Sequence, residues 1–233
     1  MAQLFVLLPT RNEEEGLGEV IERIPVKLIE DIGYKVRIIV VDGFSTDSTC
    51  AIAEAKGAEL IHQEGESGKG TGVRQALEVI FSKKISDNDL LIMLDADATY
   101  HPEDISRFLT ELKENDVVWG SRLRGKMESG AMTRTNRLGN VLLSLLASIV
   151  YFRRTTDLCT GYWGFKIGSL KAITLTAVGF NLEADLFASV SKKGMKTKEI
   201  VIDYDHREGQ SNLKWYKDGP RIFLMILKKR FTR

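Results

Sequence analysis

Through the first 121 residues, short apolar runs rich in β-branched side chains alternate with segments of helical spacing. Leu4–Leu8 is an unbroken apolar run ended by Pro9, the pattern of a buried strand. The spacing of Glu14–Ile24 predicts a helix, and Val36–Val41 a second strand closed by Asp42. Thr46–Lys56 reads as a helix capped by Ser45 or Thr46 and stopped at Gly57. Then come a strand at Glu59–His62, a helix at Lys69–Ser82, and a strand at Leu90–Leu94. A helix at Pro102–Glu114, with proline in its first turn, and a strand at Val117–Trp119 complete the series. Strands and helices alternating at these lengths imply right-handed βαβ units and a mostly parallel α/β sheet. Ligands of such sheets sit at the carboxyl ends of the strands, so the residues after each strand carry the functional information.

After Gly120 the texture changes, and residues 121–137 are rich in Arg, Gly, Ser and Thr. Leu138–Phe152 then runs without a charge between Arg134 and Arg137 on one side and Arg153 and Arg154 on the other. A membrane-crossing helix needs roughly 20 apolar residues; this run is shorter and includes Gly139, Asn140 and two serines. Two compatible readings stand: a buried core helix, or a helix in the headgroup region with arginines on lipid phosphates. Tyr216–Arg233 repeats the theme, with an apolar stretch at Ile222–Leu227 followed by Lys228, Lys229, Arg230 and Arg233. No linker interrupts the chain, so residues 1–233 are expected to form one domain.

Charge sharpens that picture. The net charge of +1 conceals two halves: residues 1–121 hold 12 Lys/Arg against 23 Asp/Glu, and residues 122–233 hold 21 against 9. A basic half suits phosphates or an anionic membrane surface rather than a nucleic acid here, although two halves that neutralise each other across an interface would look the same. Apolar content of 43% and charged content of 28% are those of a soluble globular chain. Cys50 and Cys159 have no framework or metal spacing, which suits a reducing, cytoplasmic setting. The start of the chain has no basic segment or cleavage site before its apolar run, so it reads as a first strand rather than a signal peptide.

The strongest chemical signal is LLIMLDADAT at Leu90–Thr99, where a buried strand ends in Asp95-Ala96-Asp97. Strand geometry, if it persists, puts Asp95 and Asp97 on one side. Carboxylates that close repel and call for a cation, and Mg²⁺ or Mn²⁺ held by carboxylates and substrate phosphates fits them. A solvated acidic turn is the plain alternative. Haloacid-dehalogenase-like phosphatases share the D-x-D-x-T letters, but there the motif opens the fold, whereas three strands precede it here. Strand two ends in Asp42-Gly43-Phe44-Ser45-Thr46-Asp47, where Asp42 is placed to accept from a base N–H and the Ser/Thr/Asp cluster to cap a helix. Gly65–Gly72 reads GESGKGTG, similar to a phosphate loop at a helix N-terminus but lacking the Walker ends. Lys69 and Arg74 lie where they would reach a pyrophosphate or base.

The series PTRNEE, VVDGFSTDST, GKGTGVRQA, LDADATYHPEDI, GSR, DLCTGYWGF and HREGQSNLKW, in that order from Leu4 to about Leu227, resembles the inverting family-2 glycosyltransferases of GT-A fold. Within them it is similar to the dolichyl-phosphate mannose synthase group and its archaeal relatives. The resemblance implies a GT-A, Rossmann-like, mostly parallel sheet with amphipathic helices at a membrane surface. Residues 1–121 would form the donor-nucleotide and metal half, and 122–233 the acceptor and membrane-facing half. Pro9, Glu13 and Asp42 would hold base and ribose, with Ala96, Lys69 and Arg74 also on the donor. Asp95 and Asp97 would hold the metal. Arg122, Arg134, Arg207 and Ser211 would meet the acceptor phosphate, Arg207 and Ser211 from a closing loop; planar guanidinium forks suit phosphate.

On this resemblance a hexose moves from a GDP- or UDP-sugar to dolichyl (polyprenyl) phosphate, with Asp95, Asp97, Arg122 and Arg207 as the catalytic set. The enzyme would sit peripherally on the cytoplasmic face of a membrane. A soluble or glycan acceptor, or a nucleotide-sugar-binding module without catalysis, is the alternative. The chain departs from the family at Gly43, where many relatives carry a second aspartate. It also departs at Thr99, at Trp163-Gly164, and at Ser211-Asn212-Leu213, where a lysine is usual. Trp163 and Trp215 would pack on sugar, lipid or core.

Overall fold

The computed structural model describes residues 1–207 and 215–232. Seven strands form one sheet: β1 (Ala2–Thr10), β2 (Tyr34–Asp42), β3 (Glu59–His62), β4 (Leu90–Met93), β5 (Val117–Ser121), β6 (Trp163–Lys166) and β7 (Thr197–Val201). Their order is β3-β2-β1-β4-β6-β5-β7. Every pairing is parallel except those of β6, which runs against both β4 and β5. The helices are α1 (Leu17–Arg23), α2 (Val26–Asp31), α3 (Thr49–Ala55), α4 (Lys69–Phe81), α5 (Ile105–Leu112), α6 (Arg134–Tyr151), α7 (Ile167–Lys171), α8 (Leu182–Lys192) and α9 (Trp215–Phe231).

The unbroken apolar run of β1 follows from burial on both sides of the sheet. Phe5 and Leu7 join a core with Val73, Trp119, Trp163 and Phe187, beneath α4, α6, α8 and α9. Leu4, Val6 and Leu8 join a second core with Leu17, Val20, Ile105 and Phe108, beneath α1 and α5. A strand buried on both faces has no polar alternation to show, which is why it reads as a run. Trp163 belongs to this core at 1% exposure, not to a sugar or lipid surface.

The strands expected before Gly120 are all present. The helix after β2 starts later than its sequence suggests, at Thr49, with no side-chain cap at its N-terminus. Ser45 and Thr46 instead tie two loops together: Asn12 N–H donates to Ser45 Oγ (2.8 Å) and Thr46 N–H to Asn12 Oδ1 (2.8 Å). Pro102–Asp104 is a 3₁₀ turn leading into α5.

The uncharged run lies on α6, and the helix is amphipathic in an inverted sense. Its inner face carries Asn140, Ser144, Ala147 and Tyr151, whereas Leu138, Leu142, Leu145 and Ile149 face outward, each more than half exposed. Spacing of four, three and four residues sets these four on one stripe. α9 lies against α6, with the Tyr151 hydroxyl donating to the Ile226 carbonyl (2.8 Å), and exposes Phe223 and Leu224. Among the described residues no helix is long and apolar enough to cross a membrane.

Candidate active site

The carboxyl ends of β1 to β4 all open on one side. Residues 12–14 after β1 and 45–49 after β2 are stitched to each other, Glu13 N–H donating to Thr49 Oγ1 (2.9 Å) and Ser48 N–H to Glu14 Oε2 (2.9 Å). Asn12 takes a left-handed φ of 55° to allow this, a conformation asparagine tolerates better than most residues. The stitching delivers the Glu13 side chain to the end of β4.

Asp95 and Asp97 come together there in a cage of opposite charges. Lys69 Nζ donates to Asp95 Oδ1 (2.6 Å) and to Glu183 Oε1 (2.7 Å). Arg207 pairs with Glu13 Oε1 (2.5 Å) and with Asp97 Oδ2 (3.1 Å). Thr99 donates its hydroxyl to Asp97 Oδ1 (2.6 Å). First-half carboxylates thus meet a second-half arginine, so part of the charge asymmetry is neutralised inside the site.

Burial raises the cost of charge on every carboxyl here, and the neighbours decide the outcome. Against that cost Lys69 holds Asp95 below the usual carboxylate range. Asp97 is pushed up by burial and by Asp95, in spite of Arg207. Glu13 is pushed up to about 8 by burial, with Asp97 and Asp95 adding to the effect and Arg207 opposing it. Four carboxyl groups thus crowd two cations, and the crowding is relieved in part by protons that the carboxyls retain. Hard carboxylate oxygens at a strand end suit Mg²⁺ or Mn²⁺, and the residues present fit a divalent ion at Asp95 and Asp97. Gly161 leaves the space they need: a Cβ there would lie 2.3 Å from Asp95 Oδ2.

Arg122 lies beyond β5 with its fork already committed. Its Nε and Nη2 donate to the two oxygens of Asp157 (2.7 and 2.8 Å), its backbone N–H donates to the same carboxylate, and Asn140 donates from α6. The guanidinium carbon also lies 5.1 Å from the Tyr204 ring centroid. Arg122 therefore borders the site as a fixed charge and does not offer a free bidentate fork.

A cavity of about 1030 Å³ links these groups. Its polar end is bounded by Pro9, Thr10, Gly43 and Gln63, and its middle by Glu13, Lys69, Asp95, Ala96, Asp97, Arg122 and Arg207. Its other end runs between α6 and α9 past Leu142, Leu143 and Ile222.

Four of the expected residues stand apart from this cavity or outside the described structure. Asp42 turns its carboxylate to the Ser45 N–H (3.2 and 3.3 Å) and does not line the cavity. Its oxygen lies within 4.8 Å of Cys50 Sγ and a His62 ring nitrogen, a grouping able to hold an ion. Arg74 points away and donates to the Ala177 carbonyl (3.1 Å). Arg134 is exposed at the first residue of α6, while its neighbours Thr133 and Thr135 line the cavity mouth. Ser211 and the rest of the Ser211-Asn212-Leu213 segment lie outside the described residues.

The glycine-rich turn is not an open phosphate cradle. Thr71 N–H at the start of α4 donates to the Val178 carbonyl (2.9 Å), and a Cβ on Gly70 would lie 2.6 Å from the Ala177 oxygen. Gly68 and Gly70 serve close backbone packing against residues 177–179.

Sequence reasoning missed Glu183, Asp157, Asn140 and Gln63. Glu183 and Asp185 do leave a trace, as two acids opening a helix buried from Leu182 to Val190. Charges in so apolar a stretch need partners.

The chain matches the family described as glycosyl transferase family 2 over residues 5–174. It is 35% identical to the Haloferax volcanii glycosyltransferase AglJ, over 97% of this chain and 72% of that one. It is 31% identical to the dolichyl-phosphate hexose transferase of the same organism, over 97% and 92%. Among solved structures, glucosyl-3-phosphoglycerate synthase of Mycobacterium tuberculosis with Mn²⁺ and UDP-glucose superposes at a TM-score of 0.74. The identity is 18%, over all of this chain and 80% of that one.

Proposed function

This chain belongs to glycosyl transferase family 2, and from that premise we propose that it moves a hexose, with inversion, from a nucleoside-diphosphate sugar to a polyprenyl (dolichyl) phosphate at a membrane surface. The observation that carries the reading is the cavity, polar at the strand ends and apolar between α6 and α9. Its apolar end adjoins the outward leucine stripe of α6. A lipid chain enters such a groove from the bilayer side and presents its phosphate at the polar middle. The name of the dolichyl-phosphate hexose transferase relative agrees with that acceptor.

The division of labour follows the chain. Residues 1–121 supply the donor side and Asp95 and Asp97, and 122–233 the acceptor side. A divalent ion, Mg²⁺ or Mn²⁺, when held by Asp95 and Asp97, offsets charge on the departing diphosphate. Lys69 keeps Asp95 ionised and aimed. Arg207, held between Glu13 and Asp97, is placed to meet the acceptor phosphate beside the carboxylates that would hold the ion. A phosphate monoester is already anionic at neutral pH, so its oxygen needs no strong base. Positioning and charge stabilisation lower the barrier. Arg122, clamped by Asp157, contributes a fixed positive field. Arg134 at the mouth meets the phosphate as it enters.

Attachment is peripheral, through the exposed leucines of α6 and Phe223 and Leu224 of α9, with the exposed Arg137, Arg154 and the basic end of α9 on lipid headgroups. The test is transfer of radiolabelled sugar from GDP- and UDP-hexoses to dolichyl phosphate in vesicles. Label is expected in the organic phase, abolished by EDTA and reduced at least about 100-fold by Asp97→Asn. Metal-dependent release of nucleotide without a lipid product would replace the lipid acceptor by a soluble or glycan one.

A further inference from the structure

We infer that Gln63 reads the base of the donor nucleotide and that the base it selects is uracil. This rests on the donor site proposed above and goes further by assigning its specificity. Gln63 follows β3 directly, is only 5% exposed, and borders the polar end of the cavity. The carboxylates proposed to hold the ion beside the diphosphate follow β4, and β1 and β2 lie between β4 and β3 in the sheet. Three strand spacings separate the two ends, roughly 14 Å, which is the reach of a nucleoside diphosphate laid along the strand ends. The base therefore arrives over Gly43 and Gln63.

The orientation of the Gln63 amide is dictated by its partner. Its Nε2 donates to the Glu66 carbonyl, an oxygen that only accepts. Oε1 is thus turned the other way, toward the two glycines of the pocket. A Cβ on Gly72 would lie 2.9 Å from Oε1, and a Cβ on Gly43 3.3 Å from it and 3.2 Å from the Thr10 carbonyl. Neither position takes a side chain without moving the amide. The Gln63 carbonyl oxygen thus faces the pocket between these two glycines, while the Asp42 carboxylate accepts from the Ser45 N–H and is not among the residues that line the cavity.

A single acceptor matches the edge of uracil, whose one N3–H lies between two carbonyls. Guanine presents N1–H and the N2 amino group side by side and calls for two acceptors, as a carboxylate supplies.

The experiment is titration of the purified chain with UDP and with GDP in the presence of Mn²⁺, read by calorimetry, with steady-state transfer measured in parallel. The wild type is expected to bind UDP more tightly than GDP. Gln63→Leu should weaken UDP about tenfold, the worth of one buried hydrogen bond, with GDP little changed and with KM rather than kcat affected in transfer. Gly72→Ala, which displaces the amide and leaves Gln63 in the sequence, should reproduce the UDP loss. Gln63→Glu, with two acceptors, should shift preference toward GDP. UDP binding unchanged in both Gln63→Leu and Gly72→Ala, or wild-type preference for GDP, overturns the inference. Because nucleotide binding needs no acceptor, intact UDP selection without any lipid product would sink the lipid-phosphate reading and leave this one standing.

Discussion

At the residue scale the site is a balance of four carboxyl groups, Glu13, Asp95, Asp97 and Glu183, against the cations Lys69 and Arg207, all sharing little water. Glu13 is the most telling. Its ordinary value of 4.5 rises to about 8 through burial and the nearby Asp97 and Asp95. Between those values the folded chain holds a proton that the unfolded chain gives up. Glu13 therefore favours folding at low pH, and that contribution is lost as pH rises through about 8. A divalent cation at Asp95 and Asp97 acts in the opposite direction, favouring ionised Glu13 and expelling the proton. Mn²⁺ affinity measured calorimetrically is accordingly expected to rise with pH up to about 8 and then level off. Glu13→Gln should flatten the slope; a slope that survives this substitution would place the proton on another group.

Residue-level legibility varied with sequence distance. Asp95 and Asp97 were readable because a local pattern, an apolar strand followed by D-x-D, fixes their position at the strand end. Arg122 was readable as a site arginine, but its commitment to Asp157, 35 positions away, was not. Asp42 shows the converse error. It sits at the right strand end, yet the turn that follows offers its carboxylate the Ser45 N–H, and the side chain leaves the cavity.

At the scale of elements, period was a good guide only where burial is one-sided or complete along a short run. The strands before Gly120 met those conditions. α8 did not, since burial of nine successive residues erases the helical period. β6 is four residues long with Gly164 in it, a glycine required because a Cβ would lie 2.8 Å from Ile92 Cδ1. β7 is a polar edge strand, Thr-Lys-Glu-Ile-Val, with little apolar signal. For α6 the sequence left burial and membrane contact both open, and the helix divides its faces between small or polar residues inside and leucines outside. The double substitution Leu142→Asp with Leu145→Asp removes outward leucines that are 57% exposed. Co-sedimentation with anionic vesicles should fall several-fold while the melting temperature stays within the range of a surface change. A fall in melting temperature matching that of a core variant would show the stripe to be covered by protein instead.

At the scale of the whole molecule, two cores on opposite faces of one sheet hold the fold, and a buried ion pair holds α9 to it. Lys229 Nζ meets Asp185 Oδ1 (2.6 Å), whose other oxygen accepts from the Thr176 and Ala177 N–H groups (2.5 and 2.8 Å). Residues 177 and 178 in turn press on the start of α4, where Lys69 resides. Lys229→Met would leave Asp185 charged and fully buried without its cation. Chemical denaturation is expected to register a loss of about 3–5 kcal/mol, and an unchanged midpoint would mean that Asp185 is satisfied by backbone amides alone.

The Asn140–Asp157–Arg122 chain has a mechanical corollary. Asn140 projects from the inner side of the same helix whose outer side bears Leu142 and Leu145, so the two sides turn as one stiff rod. Under the membrane attachment proposed above, a bilayer that tilted or rolled α6 would pull on Asp157 and, through it, re-aim the Arg122 guanidinium. The thickness and tension of the lipid around the helix would then act on the electric field in the cavity. The proposed transfer is accordingly expected to run at different rates in thin and thick membranes of equal substrate content.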